Sequence, residues 1–355
     1  MRFMKSVLNA AGRFTLTLLF TLIAVGEDAF AMEQNAPSES LIGAAHLRVE
    51  RLDVRLPSSI GGLGLAGLSA VTVGDSIYLF GGDTWDEKVG ITNTLLRFDT
   101  RTQSFTKVQT KGTMPHIKIT SAIFDGTDVY LFGGFTAQGL SDRIIRFNPK
   151  TAELEVLAPP AVLPSPRGRT AAFFDGRYAW ILGGNIGSFK PTGYLDEIVR
   201  FDPKTHEVKL MNEKLPFPVG NRIGVVFDWK TAYLPGGMIA GEPMKTDRIV
   251  AYVPGGGARV LEGAALPFHA DGGAFELMSG LVVIMGGGKT PEDDPSALLS
   301  NIHLFDPASN RVKDAGVTLP SPRKGTAAAR VGDSIYLFGG IKVDEVVKIT
   351  LRVEF

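Results

Sequence analysis

The sequence contains no cysteine. Disulfides, thiolate metal sites, thiol catalysis and a lipidated N-terminal cysteine are therefore excluded. Net charge is also missing, because 37 basic and 37 acidic side chains cancel. No Lys/Arg run is interleaved with aromatics, so no long-range field draws the chain to nucleic acid or to an anionic membrane. Histidine is scarce: His46, His116, His206, His269 and His303 are the five copies, and none pairs at ligand spacing. No metal site and no cofactor is expected from such a set.

A membrane-spanning run is absent near the N-terminus as well. The apolar stretch Phe14–Val25 has twelve residues, short of the roughly 20 that cross a bilayer. It reads instead as the core of an export signal. Arg2, Lys5 and Arg13 supply the positive start, and Ala29-Phe30-Ala31 places small residues at the cleavage site. Residues 1–31 are expected to be removed before Met32. The mature protein would then be periplasmic or secreted, without stable membrane insertion. Lacking disulfides, it must be stabilised by its core, and a chain this long can bury one.

Glycine is what the sequence has in abundance, with 42 copies, many of them paired. Gly-Gly closes a short apolar run at 81–82, 133–134, 183–184, 236–237, 286–287 and 339–340, at intervals of 52, 50, 53, 50 and 53 residues. A period near 50 marks a repeat architecture. Each copy begins with a strand-like run such as Thr120–Phe124 or Thr170–Phe174, turns at Asp125-Gly126 or Asp175-Gly176, and continues as an uninterrupted apolar segment. Ile77-Tyr78-Leu79-Phe80 and Ile335-Tyr336-Leu337-Phe338 are two such segments. Successive strand residues face opposite ways, so a strand apolar throughout is buried on both faces. After a variable polar loop comes a second apolar strand ending in Asx-Pro: Phe147-Asn148-Pro149, Phe201-Asp202-Pro203 and Phe305-Asp306-Pro307. Asx-Pro sets a type I turn that delivers the chain into an outer strand.

Strand, Gly-Gly, loop, Phe-Asx-Pro and strand at this period resemble the Kelch repeat over roughly 68–355. That resemblance implies an all-β fold, a six-bladed β-propeller of four-stranded blades. One departure is plain: the outer-strand Trp usual in the family is missing, and Phe105, Leu154 and Val208 stand in its region. After Gly340 only fifteen residues remain, enough for one strand, Val346–Phe355, and not for two. The segment His46–Leu56, alternating apolar and charged, is therefore expected to supply the missing outer strand of the last blade. The expected organisation is a signal peptide at 1–31, a flexible leader at 32–45, and a propeller at 46–355 whose closing strand lies within 46–57. Circular closure of this kind removes exposed edges.

The loops after the Gly pairs and the segments between blades are the least repetitive parts, and in this architecture they share one face. The longest are Asp83–Asn93, Asn185–Asp196, Met238–Asp247 and Gly288–Asn301. Variable loops on a rigid frame are where binding usually resides. Arginine recurs between blades: Pro166-Arg167-Gly168-Arg169-Thr170 aligns with Pro322-Arg323-Lys324-Gly325-Thr326, and Arg222 matches Arg169. Guanidinium groups there could clamp a carboxylate in bidentate fashion. The plainer role for Arg167 and Arg323 is to bond carbonyls of a neighbouring blade. Trp85, Phe189 and Tyr194 sit in long loops and suit stacking on a sugar ring, with Asn185 beside them; Trp180, before a Gly pair, reads as core. The acidic run Glu292-Asp293-Asp294 reads as a solvated loop tip, since consecutive carboxylates point apart.

Glycan- and peptide-binding Kelch proteins use this face, so the resemblance implies a binding module for a glycan or a protein segment. Two related enzyme types bear on this. The copper oxidases of the family need a Tyr–Cys cross-link, which this chain cannot form. The sialic acid mutarotase (N-acetylneuraminate epimerase) family is similar at Asp271-Gly272-Gly273-Ala274-Phe275 and Val283-Ile284-Met285-Gly286-Gly287-Gly288. It carries a Glu after the fourth-blade glycines and an Arg before Thr-Asp, where this chain has Met238 and Lys245. An epimerase reading would therefore rest on Glu242 and Lys245 as the proton-transferring groups.

Overall fold

Six sheets of four antiparallel strands stand around an axis, each with its first strand innermost. The structure is a computed structural model that describes residues 41–57, 64–84, 90–187, 193–220, 224–240, 244–267, 273–289 and 295–353, all in one unit, Pro37–Phe355. The expected export signal lies outside the described residues. Blade 1 comprises Ala66–Val73, Ser76–Asp83, Leu95–Asp99 and Ser104–Lys107; blade 2 comprises Ser121–Phe124, Val129–Phe132, Ile144–Phe147 and Leu154–Val156. Blade 3 runs Ala171–Phe174, Ala179–Leu182, Glu197–Phe201 and Val208–Lys214, and blade 4 runs Val226–Phe227, Ala232–Pro235, Arg248–Val253 and Gly257–Ala265. Blade 5 holds Ala274–Met278, Leu281–Met285, Asn301–Asp306 and Arg311–Thr318; blade 6 holds Ala327–Val331, Ser334–Phe338, Glu345–Val353 and Ala45–Arg55.

The last of these is the closing strand. Ala45–Arg55 pairs antiparallel with Glu345–Val353, in register from Ala45 opposite Val353 to Arg51 opposite Val347, with an irregularity before Arg55. Its alternation is what an outer strand requires, with one face on the blade and one in solvent. The expected leader is shorter than 32–45 at its C-terminal end. Leu41–Ala44 form a turn of 3-10 helix, and Ile42 is buried among Met278, Leu281 and Ile349. An apolar pair, Leu41-Ile42, gains more against this sheet than in water.

The core lies between blades. Six apolar clusters each join two neighbours; Val71, Tyr78 and Phe80 of blade 1 meet Leu131 and Ile145 of blade 2, while Phe338 of blade 6 meets Ile77 and Phe98 of blade 1. The second strands are buried along their whole length, except for Ser334 of blade 6, as continuous apolar runs demand. Trp180 is core, as expected.

The Gly pairs make the backbone joint between blades. The second glycine of one blade donates its N–H to the inlet carbonyl of the next: Gly82 to Ile117 O (2.9 Å), Gly134 to Arg167 O (2.8 Å), Gly184 to Val219 O (2.9 Å), Gly287 to Arg323 O (2.9 Å) and Gly340 to Leu65 O (2.9 Å). The last of these ties blade 6 to blade 1. Gly81 shows why a side chain is refused: its φ is +67°, and a Cβ would fall on the Ile117 carbonyl.

Candidate functional site

The blade inlets and the loops after the Gly pairs meet on one face, and a second set of backbone bonds links four of the inlets there. Gly67 N–H donates to Gly325 O (2.8 Å), Ile119 N–H to Gly67 O (2.8 Å) and Arg169 N–H to Ile119 O (3.3 Å). These are equivalent inlet positions of blades 6, 1, 2 and 3, and all four are left-handed, with φ of 71°, 67°, 54° and 57°. Glycine adopts this conformation freely, whereas a side chain costs roughly 1–2 kcal/mol. Blades 2 and 3 nevertheless place Ile119 and Arg169 there.

Arg169 is 6% exposed. Its guanidinium carbon lies 5.7 Å from the centre of the Phe135 ring, in the blade 2 loop, and Nη1 lies 3.7 Å from Sδ of Met238, in the blade 4 loop. One side chain thus spans three blades. Phe135 also exchanges backbone hydrogen bonds with Lys118, at 2.9 and 3.0 Å, and the Lys118 ammonium pairs with Asp83 of blade 1. Lys118 and Asp83 were not singled out from the sequence. The signal available was position, since Lys118 follows the inlet residue Ile117 as Lys324 follows Arg323.

Arg167 and Arg323 play a different part. Both side chains are 0% exposed and both meet a carboxylate that opens the third strand of their own blade: Arg167 Nη2 to Glu197 at 2.6 Å, and Arg323 Nη2 to Glu345 at 2.5 Å. Each Nε also donates to the carbonyl of the serine two residues earlier, Ser165 or Ser321. Burial pushes the Glu345 carboxyl up, but bonds from Ser321, Arg51 and Arg323 outweigh it and hold the carboxyl below its ordinary value. These two arginines clamp an inlet to its own blade, which differs from the neighbouring-blade carbonyl bonds expected of them.

Asn185 and Tyr194 are buried, at 2% and 4% exposure. Asn185 exchanges backbone bonds with Gly168 (3.0 and 2.8 Å), takes the Gly187 N–H on its Oδ1 at 2.8 Å, and bridges to Tyr194. Both therefore stitch the blade 3 loop to its inlet. Lys245 is 1% exposed; it bridges to Met238 and donates from Nζ to Gly288 O of blade 5 at 2.7 Å. Met238 is buried and its thioether transfers no proton. Trp85, Phe189, Arg222, Glu242 and the acidic run 292–294 lie outside the described residues. Among the described residues, no group of three or more His, Asp or Glu could hold a metal ion, and no helix is long and apolar enough to cross a membrane.

Fold and face define an all-β propeller with six four-stranded blades and a loop-built mouth. Residues 67–250 match the family model described as the KLHDC2/KLHL20/DRC7 Kelch-repeats domain, more than half of the chain. A Kelch domain-containing protein of Archaeoglobus fulgidus is 26% identical over 243 residues, covering 66% of this chain and 66% of that relative. The chain belongs to the Kelch-repeat family.

Proposed function

We propose that this chain is an exported binding propeller that takes a carboxylate-bearing protein segment on its loop face. Kelch propellers are commonly protein-binding modules, which favours a protein segment over a glycan. The observation that carries the reading is Arg169. It keeps a left-handed backbone where blades 1 and 6 use glycine, and it sets a guanidinium among the blade 2, 3 and 4 loops. Backbone strain retained at a loop-lined mouth is a signature of binding sites. Lys118, bonded to Phe135 through the backbone, is a second basic residue of the same floor, its ammonium paired with Asp83 of blade 1.

The test is a peptide-fragment screen of the mature protein run beside a glycan array. Acidic segments should bind, and substitution of Arg169 should weaken them. Binding confined to glycans would replace the protein segment as ligand. Accelerated anomerisation of sialic acid would replace binding with the mutarotase reading. Export is tested by intact mass, which should show Met32 as the first residue of protein taken from the host.

A further inference from the structure

Blade 5 breaks the repeat at one cross-strand pair. In the other five blades the inner strand opposes an apolar residue to an aromatic one: Val71 to Tyr78, Ile123 to Tyr130, Phe173 to Trp180, Val226 to Tyr233 and Ala329 to Tyr336. Blade 5 has Glu276 opposite Val283. Both members change together, so a carboxyl replaces an apolar group and a valine replaces a ring. A lone charged residue at a core position of a repeat conflicts with every local packing rule, and such conflicts mark functional positions.

Glu276 is half-buried and borders the axial cavity. Phe275 and Leu277 pack toward blade 4, so by the strand's period of two Glu276 faces blade 6, as Ala274 and Met278 do. It lines a cavity of about 200 Å³ on the propeller axis, to which all six blades contribute. Among the described residues no donor bonds its carboxyl. The strands packed on it bring one charged group, Arg330 of blade 6, and that guanidinium donates to Leu277 O (2.8 Å) and Gly332 O (2.8 Å). Among the described residues, the second strand of blade 5 offers Val283 opposite, and blade 4 offers Gly224, Val225, Val226 and Phe227.

The rest of the wall selects the ligand. Ala70, Ala122, Ala172, Ala328 and Phe275 bring apolar side chains to a wall whose exposed surface is mostly polar. The hydroxyls that reach the cavity bond each other, Ser69 to Thr120 at 2.6 Å and Ser121 to Thr170 at 2.7 Å. A hard metal ion needs about six oxygen ligands converging on one point, whereas the hydroxyls of this wall are bonded to each other in pairs. A primary ammonium needs one carboxylate, and its alkyl part suits methyl groups and an aromatic ring. We propose that the axial cavity is a binding site for a small primary alkylammonium group, seated on Glu276.

Burial raises the Glu276 carboxyl to about 7, against a smaller lowering by Arg330. Below that pH the free site holds a proton, which an arriving ammonium must displace. Affinity should then rise about tenfold from pH 6 to pH 8, following the ionised fraction of a group with that pKa. The probe is propylamine hydrochloride, titrated calorimetrically into the full chain, with potassium chloride and propanol as controls. Saturable binding of propylamine alone is expected, with up to one proton released per site at pH 6 and almost none at pH 8.5. Glu276→Gln should abolish both binding and proton release while leaving the melting transition intact. Equal binding by Glu276→Gln, equal response to potassium, or affinity that does not change with pH would each overturn the assignment. Should the Gln variant melt early, absence of proton release from the unmodified protein at pH 6 would by itself overturn it.

Discussion

The backbone N–H of Ile119 donates to the carbonyl oxygen of Gly67 at 2.8 Å, and both residues are left-handed. A β-branched side chain is poorly suited to that conformation, because Cβ crowds the following carbonyl. The chain of inlet bonds therefore stores strain at Ile119 that it does not store at Gly67 and Gly325. Ile119→Gly should raise stability by about 0.5–1 kcal/mol, a gain in melting temperature of about 1–3 °C. A fall instead would mean that packing of the isoleucine over Gly67 outweighs its backbone cost.

Closure by the N-terminal strand leads to a second expectation. Deletion through Ser40 leaves Ile42 in its cluster and should change melting little. Deletion through Leu56 removes the whole strand paired with Glu345–Val353, together with the buried Leu52 and Leu56. Backbone groups left dry and unpaired cost about 1–3 kcal/mol each, so that variant should lose its cooperative transition or melt far lower. Equal melting of the two truncations would show that the strand is dispensable to the ring.

Two carboxyls should give stability opposite dependences on pH. Glu345 is held below its unfolded value of 4.5, so its contribution is complete above that pH and is lost as pH falls through the folded value. Glu276 is raised from 4.5 to about 7, so the folded state holds the extra proton and stability falls as pH rises between those values. Glu345→Gln should flatten the acid limb of a stability–pH curve. Glu276→Gln should flatten the decline between pH 4.5 and 7, which amounts to about 2–3 kcal/mol for a shift of this size. Denaturant melts from pH 4 to pH 8.5 check both, and unchanged slopes in either variant would contradict its sign.

The propeller was legible because its reason is written into the backbone. A Gly pair must recur wherever one blade's inlet carbonyl approaches the next, and apolar runs must recur wherever a strand is buried on both faces. The closing strand was legible from its alternation. The roles of the arginines were not, because their partners lie far along the chain. Arg167 and Glu197 are 30 residues apart, yet both Pro-Arg inlets, at Arg167 and Arg323, belong to the two blades whose third strand begins with Glu. That co-occurrence is the signal for a brace. The conformations of Ile119 and Arg169 carry no mark of their own, and only their alignment with Gly67 and Gly325 reveals them. Glu276 was hidden for a similar reason, since nothing local distinguishes it from the charged residues of outer strands.

Binding at the loop face is tested most directly at Arg169. Arg169→Gly removes the guanidinium and relieves the left-handed strain, which offsets lost packing, so melting should shift by only a few degrees. Loss of one charged partner from a desolvated contact should cost about 2–5 kcal/mol of binding. Calorimetric titration of the tightest acidic segment from the screen, into the unmodified protein and into Arg169→Gly, should show affinity lower by at least thirtyfold in the variant, in line with that range. Undiminished affinity in a folded Arg169→Gly would contradict a carboxylate site at the mouth and leave Arg169 as a structural link among three blades.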